Sequence, residues 1–301
     1  VFLSTLSRPD PRLLALAAAI AAPLLWSIGG VVLRSVESAG PWEQAFWRAV
    51  GGGGAVAIAL LATGARRAVT SWREAGLAGW ASAVCIAATF VVHVLAINAT
   101  TVANVLFLQT ASPLLMPLLA WIVLSERPER RTLIAVAIAI CGLVPIVVAS
   151  AGGGRLQGDV LALLCALAGA TNILIVRRAR AVNLIPVVVV AGALTLAVSL
   201  PVGRPFAIAT GDALALVLLG AVQIGLGLSL FLFALRTLPA APVSLLTLLE
   251  PIVGPLLVWL LIGEVPPAVT LAGGTVVIVA LVLCAQAAAR PPFSPPQRAA
   301  T

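Results

Sequence analysis

The segment Ala96–Pro128 carries Pro113, Pro117, Trp121, Glu126 and Pro128, and the same spacing returns 138 residues later, within Ala234–Pro266, as Pro251, Pro255, Trp259, Glu264 and Pro266. Ala96/Ala234, Ala103/Ala241, Val105/Val243, Leu108/Leu246, Leu118/Leu256 and Leu119/Leu257 match at the same offset. A match of this length marks an internal duplication, so any fold for this chain is built from two like halves.

The halves are apolar. Hydrophobic residues make up 61% of the sequence and charged residues 9%, against about 25% charged in a soluble domain. Ten apolar runs follow, at roughly 13–34, 42–64, 76–98, 101–124, 132–150, 158–177, 184–203, 212–235, 240–263 and 268–289. Most approach the ~20 residues that cross a bilayer as a helix. The first run belongs to the repeat and does not read as a cleaved leader. Residues 1–12 form a short polar start, and the proline-rich residues 290–301 read as a disordered tail. Cys85, Cys141, Cys165 and Cys284 all fall inside apolar runs without CxxC spacing and read as small core residues.

The net charge of +8 comes from arginines, with no lysine in the chain. Fourteen arginines lie in the N-terminus, the tail and the loops after even-numbered runs. Only Arg34, Arg48, Arg155 and Arg204 lie toward the other side. This bias is a topology signal, not a nucleic-acid surface, and it puts both termini in the cytoplasm. The repeat unit holds an odd number of spans, so the second copy enters the membrane in the opposite direction. The chain therefore reads as an all-α integral membrane protein of ten transmembrane helices. They form two inverted-topology five-helix repeats, 13–150 and 158–289, between a cytoplasmic N-terminus at 1–12 and a cytoplasmic tail at 290–301. In transporters such repeats place the substrate path at their interface, near the bilayer midplane.

Glu250 lies 14 residues from both Arg236 and Glu264, about 21 Å of helix from either, hence near mid-membrane. A carboxyl group there is either a functional group, suited to proton coupling, or a helix tie held neutral. Pro113, Pro117, Pro251 and Pro255 fall on one face of each copy, with Gln109 and Thr247 one step earlier. Each proline removes a helix hydrogen bond, which suits either hinges beside a wet path or packing kinks. His93, in the third run, serves as packing group or substrate contact, and Asn98 follows just beyond. Arg48 can hold a substrate carboxylate, snorkel outward, or pair with Glu43 or Glu37. Asn104, Gln109, Asn172 and Gln223 are polar groups inside spans, available as interhelical ties or path-lining groups. Trp26 and Trp47 suit a cavity wall; Trp42 and Trp72 suit the interfacial belt. With one His, no HExxH, no Cys/His cluster and no Walker sequence, there are no catalytic residues, no metal site and no cofactor site to assign. Any active transport is then secondary.

These features together resemble the drug/metabolite transporter superfamily, in particular its ten-helix EamA-type exporters of bacteria. The resemblance rests on the first span with Trp26, the Pro41–Arg48 start of the second, and the Ala96–Pro113–Glu126 segment. It rests equally on the second copy, with Leu249-Glu250-Pro251 and Gly263-Glu264. It covers about residues 13–289. It implies two inverted five-helix bundles around a central cavity, in the bacterial inner membrane, as a monomer or homodimer. It implies export of a small molecule, with the lipid bilayer as the other partner, no nucleic acid and no cofactor. Few fixed charges and several tryptophans make the chain look most like the aromatic and neutral amino-acid exporters. The expected cavity residues are Trp26, Trp47, Arg48, His93, Asn98, Gln109, Asn172, Gln223 and Glu250, with Glu250 the proton-coupling candidate and the four prolines as hinges. The alternatives are proton-coupled efflux of lipophilic cationic drugs and export of nucleosides. The superfamily's small four-helix multidrug exporters carry a first-span glutamate that this chain lacks.

Overall fold

The computed structural model describes residues 10–179, 185–238, 243 and 245–288. The proline-rich tail and residues 1–9 lie outside the described residues. Among these, eight helices are long and apolar enough to cross a membrane, and two shorter apolar helices complete ten. Span 1 is Pro11–Ser35, span 2 Pro41–Gly64, span 3 Arg66–Ala99, span 4 Val102–Leu124 and span 5 Arg130–Gly152. Span 6 is Leu156–Arg178, span 7 Ile185–Val202, span 8 Thr210–Leu235, span 9 Leu249–Ile262 and span 10 Ala268–Ala288. Large apolar side chains such as Ile58, Ile122 and Leu260 stay exposed on the outer faces, as lipid-facing surface must.

Residues 65–75, expected as a loop, are helical. They are set off by Gly64 (φ 125°, ψ 95°) and Gly76 (φ 50°, ψ −134°), where the positive φ turns the chain. A helix there keeps the backbone hydrogen bonds of an Arg- and Trp-bearing segment satisfied at the membrane surface. Trp72 packs edge-on against Trp80, ring centroids 5.1 Å apart.

The duplication is visible in the packing. Spans 2 and 7, repeat partners, cross where a methyl on Gly53 would meet the Cα of Gly192 at 3.5 Å. Spans 5 and 10, also partners, cross where a methyl on Gly142 would press on the Gly273 carbonyl. Both crossings bring like helices of the two copies into backbone contact, as small residues do in membranes. Spans 4 and 9 stop alike. Ser125 (φ 57°) and Gly263 (φ 80°), 138 residues apart, each close their helix in the left-handed conformation.

One buried cluster joins the copies near the end of the bundle away from the described chain ends. It contains Leu33, Val94, Ile97, Val102, Val105 and Leu108 from the first copy, with Ala162, Leu216, Leu219 and Val258 from the second.

Candidate functional site

The site begins with two interrupted helices. Span 4 breaks at Thr110–Ala111, between the helical segments Val102–Gln109 and Ser112–Leu124. The chain before span 9 turns at Thr247–Leu248. The cause is local. Pro113 and Pro251 cannot donate to the carbonyl four residues earlier, and the bonds around them shorten to three-residue steps. Thr110 N–H donates to Phe107 C=O and Ala111 N–H to Leu108 C=O; Leu248 N–H donates to Leu245 C=O and Glu250 N–H to Thr247 C=O. Two further helices are irregular at the same depth. Span 1 turns at Ile28, and span 8 widens to five-residue steps over Ala221–Gly227. Such widened turns are frequent at functional sites.

These four irregular helices, with spans 2, 3, 6 and 7, enclose a cavity of about 490 Å³. Seven of the nine residues expected in the path line it: Trp26, Arg48, His93, Gln109, Asn172, Gln223 and Glu250. Gln223 is the hub. Its Nε2 donates to Trp26 C=O at 2.6 Å, and its own C=O accepts from Trp26 Nε1 at 2.9 Å. Its Oε1 accepts from Arg48 Nε at 3.2 Å. Gln109 Nε2 lies 2.9 Å from His93 Nδ1, and Ser82 Oγ donates to Asn172 Oδ1 at 2.6 Å. Arg48 thus turns into the cavity and pairs with neither Glu37 nor Glu43; Glu43 accepts instead from Arg204 N–H at 2.6 Å. Among the described residues the ion pairs are Arg34–Glu264 and Arg177–Glu126. The Arg48 guanidinium and the Glu250 carboxyl group therefore share one chamber without an ion pair between them.

Trp47 and Asn98 are placed elsewhere. Trp47 Nε1 donates to Pro205 C=O at 2.7 Å, within an aromatic group of Phe46 and Phe206. Asn98 is exposed and donates to Gln44 Oε1 at 2.8 Å and Val94 C=O at 2.9 Å. Successive helix residues are about 100° apart, so Trp47 cannot share the face of Arg48, nor Asn98 that of His93 five residues earlier. Sequence reasoning passed over Thr89, Phe90, Ser112 and Cys165, which also line the chamber. The repeat held the signal for Ser112: it is the counterpart of Glu250 at the 138-residue offset. Of the cysteines expected in the core, Cys165 is buried there and also lines the chamber, whereas Cys141 is exposed.

A second, more apolar cavity of about 830 Å³ shares Trp26, Gln109, Ser112 and Glu250 with the first. Its other walls include Met116, Phe231, Leu245, Leu281 and Cys284. These lie in the parts of their spans nearest the end where the described chain begins and finishes, so the chamber extends toward that end.

At the opposite end the copies are tied by polar contacts. Arg34 Nε stands 2.9 Å from Glu264 Oε2, Val102 N–H donates to Glu264 Oε1 at 2.7 Å, and Arg34 Nη2 donates to Thr100 C=O at 2.7 Å. Ser38 N–H donates to Asp212 Oδ2 at 2.9 Å. Deeper, Asn104 Nδ2 donates to Ser150 Oγ at 2.8 Å and Asp159 Oδ1 at 3.1 Å, while its Oδ1 accepts from Thr270 Oγ1 at 2.5 Å. Asp159 is wholly buried and escaped the sequence reading, although an acid inside an apolar run was signal enough.

A solved crystal structure, described only as that of a protein, matches at TM-score 0.61 and 20% identity, covering 93% of this chain and 100% of its own. At that identity the likeness concerns the fold. No curated protein matches. The sequence profile described as the EamA-like transporter family matches twice, at residues 13–148 and 156–286. With nearly all of both repeats matched, and two inverted bundles around a midplane chamber, the chain belongs to the EamA-like transporter family and is a multi-pass secondary transporter of a small molecule.

Proposed function

We propose that the protein exports small zwitterionic or neutral metabolites of the amino-acid class across the bacterial inner membrane, with both termini cytoplasmic. One observation carries the reading. A guanidinium and a carboxyl group line the same chamber without pairing, beside amides and Trp26 and Phe90. A zwitterion has a carboxylate for Arg48, by charge-assisted hydrogen bonds, and an ammonium for Glu250. Apolar and aromatic walls accept a side chain. A volume of about 490 Å³ falls in the usual range of small-molecule sites. The arginine bias of the loops supports the orientation, and Glu250 is the group through which a proton would be coupled.

The test is uptake of a labelled amino-acid panel, including Trp, Phe, Thr and Met, into liposomes holding the protein, with and without a pH gradient. The expected result is transport of neutral amino acids that Arg48→Gln reduces by tenfold or more, about 1.4 kcal/mol. Concentrative uptake only under the gradient would support coupling through Glu250. Transport of no amino acid would overturn the reading.

The larger apolar cavity favours a second reading, efflux of lipophilic cations, because Glu250 is the one carboxyl group among the described residues that line it. In that case Glu250→Gln abolishes drug resistance in cells, and unchanged resistance removes it.

A further inference from the structure

The two ion pairs of the described residues are not independent contacts. Arg34 and Arg177 are each the last-but-one residue of the first span of their copy, Pro11–Ser35 and Leu156–Arg178, an offset of 143. The later spans correspond at 138, the offset of the proline, tryptophan and glutamate repeat. Arg34, at the end of span 1, thereby maps onto Arg177, at the end of span 6. Glu126, past span 4, maps onto Glu264, past span 9. Arg34–Glu264 and Arg177–Glu126 are one contact made twice, each time between a first-copy and a second-copy residue, at opposite ends of the bundle.

Their settings differ. The Arg34–Glu264 pair is three-quarters buried and is reinforced by Val102 N–H and Thr100 C=O. The Arg177–Glu126 pair is more exposed, at 37% and 48%, and lies at the end toward which the chamber extends. Both glutamates are aimed by the same device, the left-handed residue that closes the preceding helix, Ser125 or Gly263.

We propose that Arg34–Glu264 is a latch that holds the chamber shut at the end away from the termini, whereas its symmetry mate Arg177–Glu126, formed at 2.8 Å as a bare side-chain pair, leaves the other end unsealed. In the conformation described, the latch is engaged in full. Opening to the far side requires Glu264 to leave both Arg34 and the N-terminus of span 4. The proposal concerns access to the chamber and is independent of which molecule is carried.

The native Cys165, on the chamber wall, reports the opening. The full chain, with Cys85, Cys141 and Cys284 replaced by alanine, is placed in oriented liposomes. A membrane-impermeant thiol reagent is added from the face away from the termini, and modification of the Cys165 peptide is followed by mass spectrometry. Glu264→Gln is expected to speed labelling by about tenfold, the effect of shifting a two-state balance by about 1.4 kcal/mol. Glu126→Gln is expected to leave the rate from that face unchanged or slower. The exchange R34E/E264R is expected to bring the rate back toward the parent. Equal labelling of parent and Glu264→Gln, or acceleration by both single variants, would overturn the proposal. A second variant guards against loss of folding: Arg34→Cys with Glu264→Cys, bridged by a short bis-maleimide, should suppress far-face labelling of Cys165. Undiminished labelling of the bridged protein would also overturn it.

Discussion

Spans 4 and 9 share the same proline steps, the same tryptophan, a left-handed closing residue at the same position and the same following glutamate, yet they bring different chemistry to the chamber. At the break, the first copy places Gln109 and Ser112, with Gln109 against His93. The second places Thr247 and Glu250 at the same offsets. The prolines determine where each helix opens, because a missing N–H acts alike in both copies. What the opening presents depends on single side chains, free to diverge once the break exists. A symmetric scaffold thus acquires a chamber with an arginine and an acid from different copies, the asymmetry on which the proposed zwitterionic substrate rests.

The largest test of this comparison removes the divergent acid. Glu250→Gln keeps the size and loses the charge, and we expect transport to fall at least about thirtyfold, roughly the 2 kcal/mol lower bound for losing one member of a buried charged contact. Ser112→Ala, at the matched position, should change the rate by less than about threefold, the scale of one interhelical hydrogen bond in a membrane protein. Similar losses in both would mean that the break itself, rather than the carboxyl group, carries the substrate. Initial rates in liposomes decide it.

An intermediate effect is expected where the copies agree. Pro113→Ala and Pro251→Ala each restore a donor to the break. Both should slow turnover by a comparable factor, about tenfold if the regained helical turn favours one conformation by 1.4 kcal/mol. Binding, followed by ligand-dependent thermal shift, should change less. A loss confined to one variant would show that only one break moves during transport.

Much of this was legible in the sequence because membrane spans and prolines act locally. The 138-residue repeat pointed to both proline sites and, one step earlier, to Gln109, while Glu250 was found from its depth between Arg236 and Glu264. Arg48, His93, Asn172, Gln223 and Trp26 were found as polar or aromatic groups inside spans. Residue type does not report rotation about a helix, so Trp47 and Asn98 were assigned to the chamber although their faces turn toward Pro205 and Gln44. The correspondence of Arg34 with Arg177 was hidden for a different reason. Its offset is 143, and reading the repeat at 138 pairs Arg34 with Asn172 instead. Asp159 stood in an apolar run, but its partner Asn104, itself bonded to Ser150 and Thr270, comes from another span, so the network around it appears only in the fold.

The smallest effect tests how closely the two copies still match where they end. Gly263 adopts φ 80° without steric cost, whereas Ser125 holds φ 57° with a Cβ. A left-handed non-glycine residue costs roughly 1–2 kcal/mol, so Ser125→Gly should stabilise the protein, by about 0.5–1 kcal/mol once the freer unfolded chain is counted. Gly263→Ser should destabilise by a similar amount. The second substitution also disturbs the residue that aims Glu264 at Arg34 and Val102, so it should speed far-face labelling of Cys165, while Ser125→Gly should not. Denaturation midpoints in one detergent, read beside the labelling rates, separate the two contributions. If Gly263→Ser lowers stability and leaves labelling unchanged, the closing residue is only a helix stop; if both move together, the geometry of that closing residue also sets the strength of the Arg34–Glu264 latch.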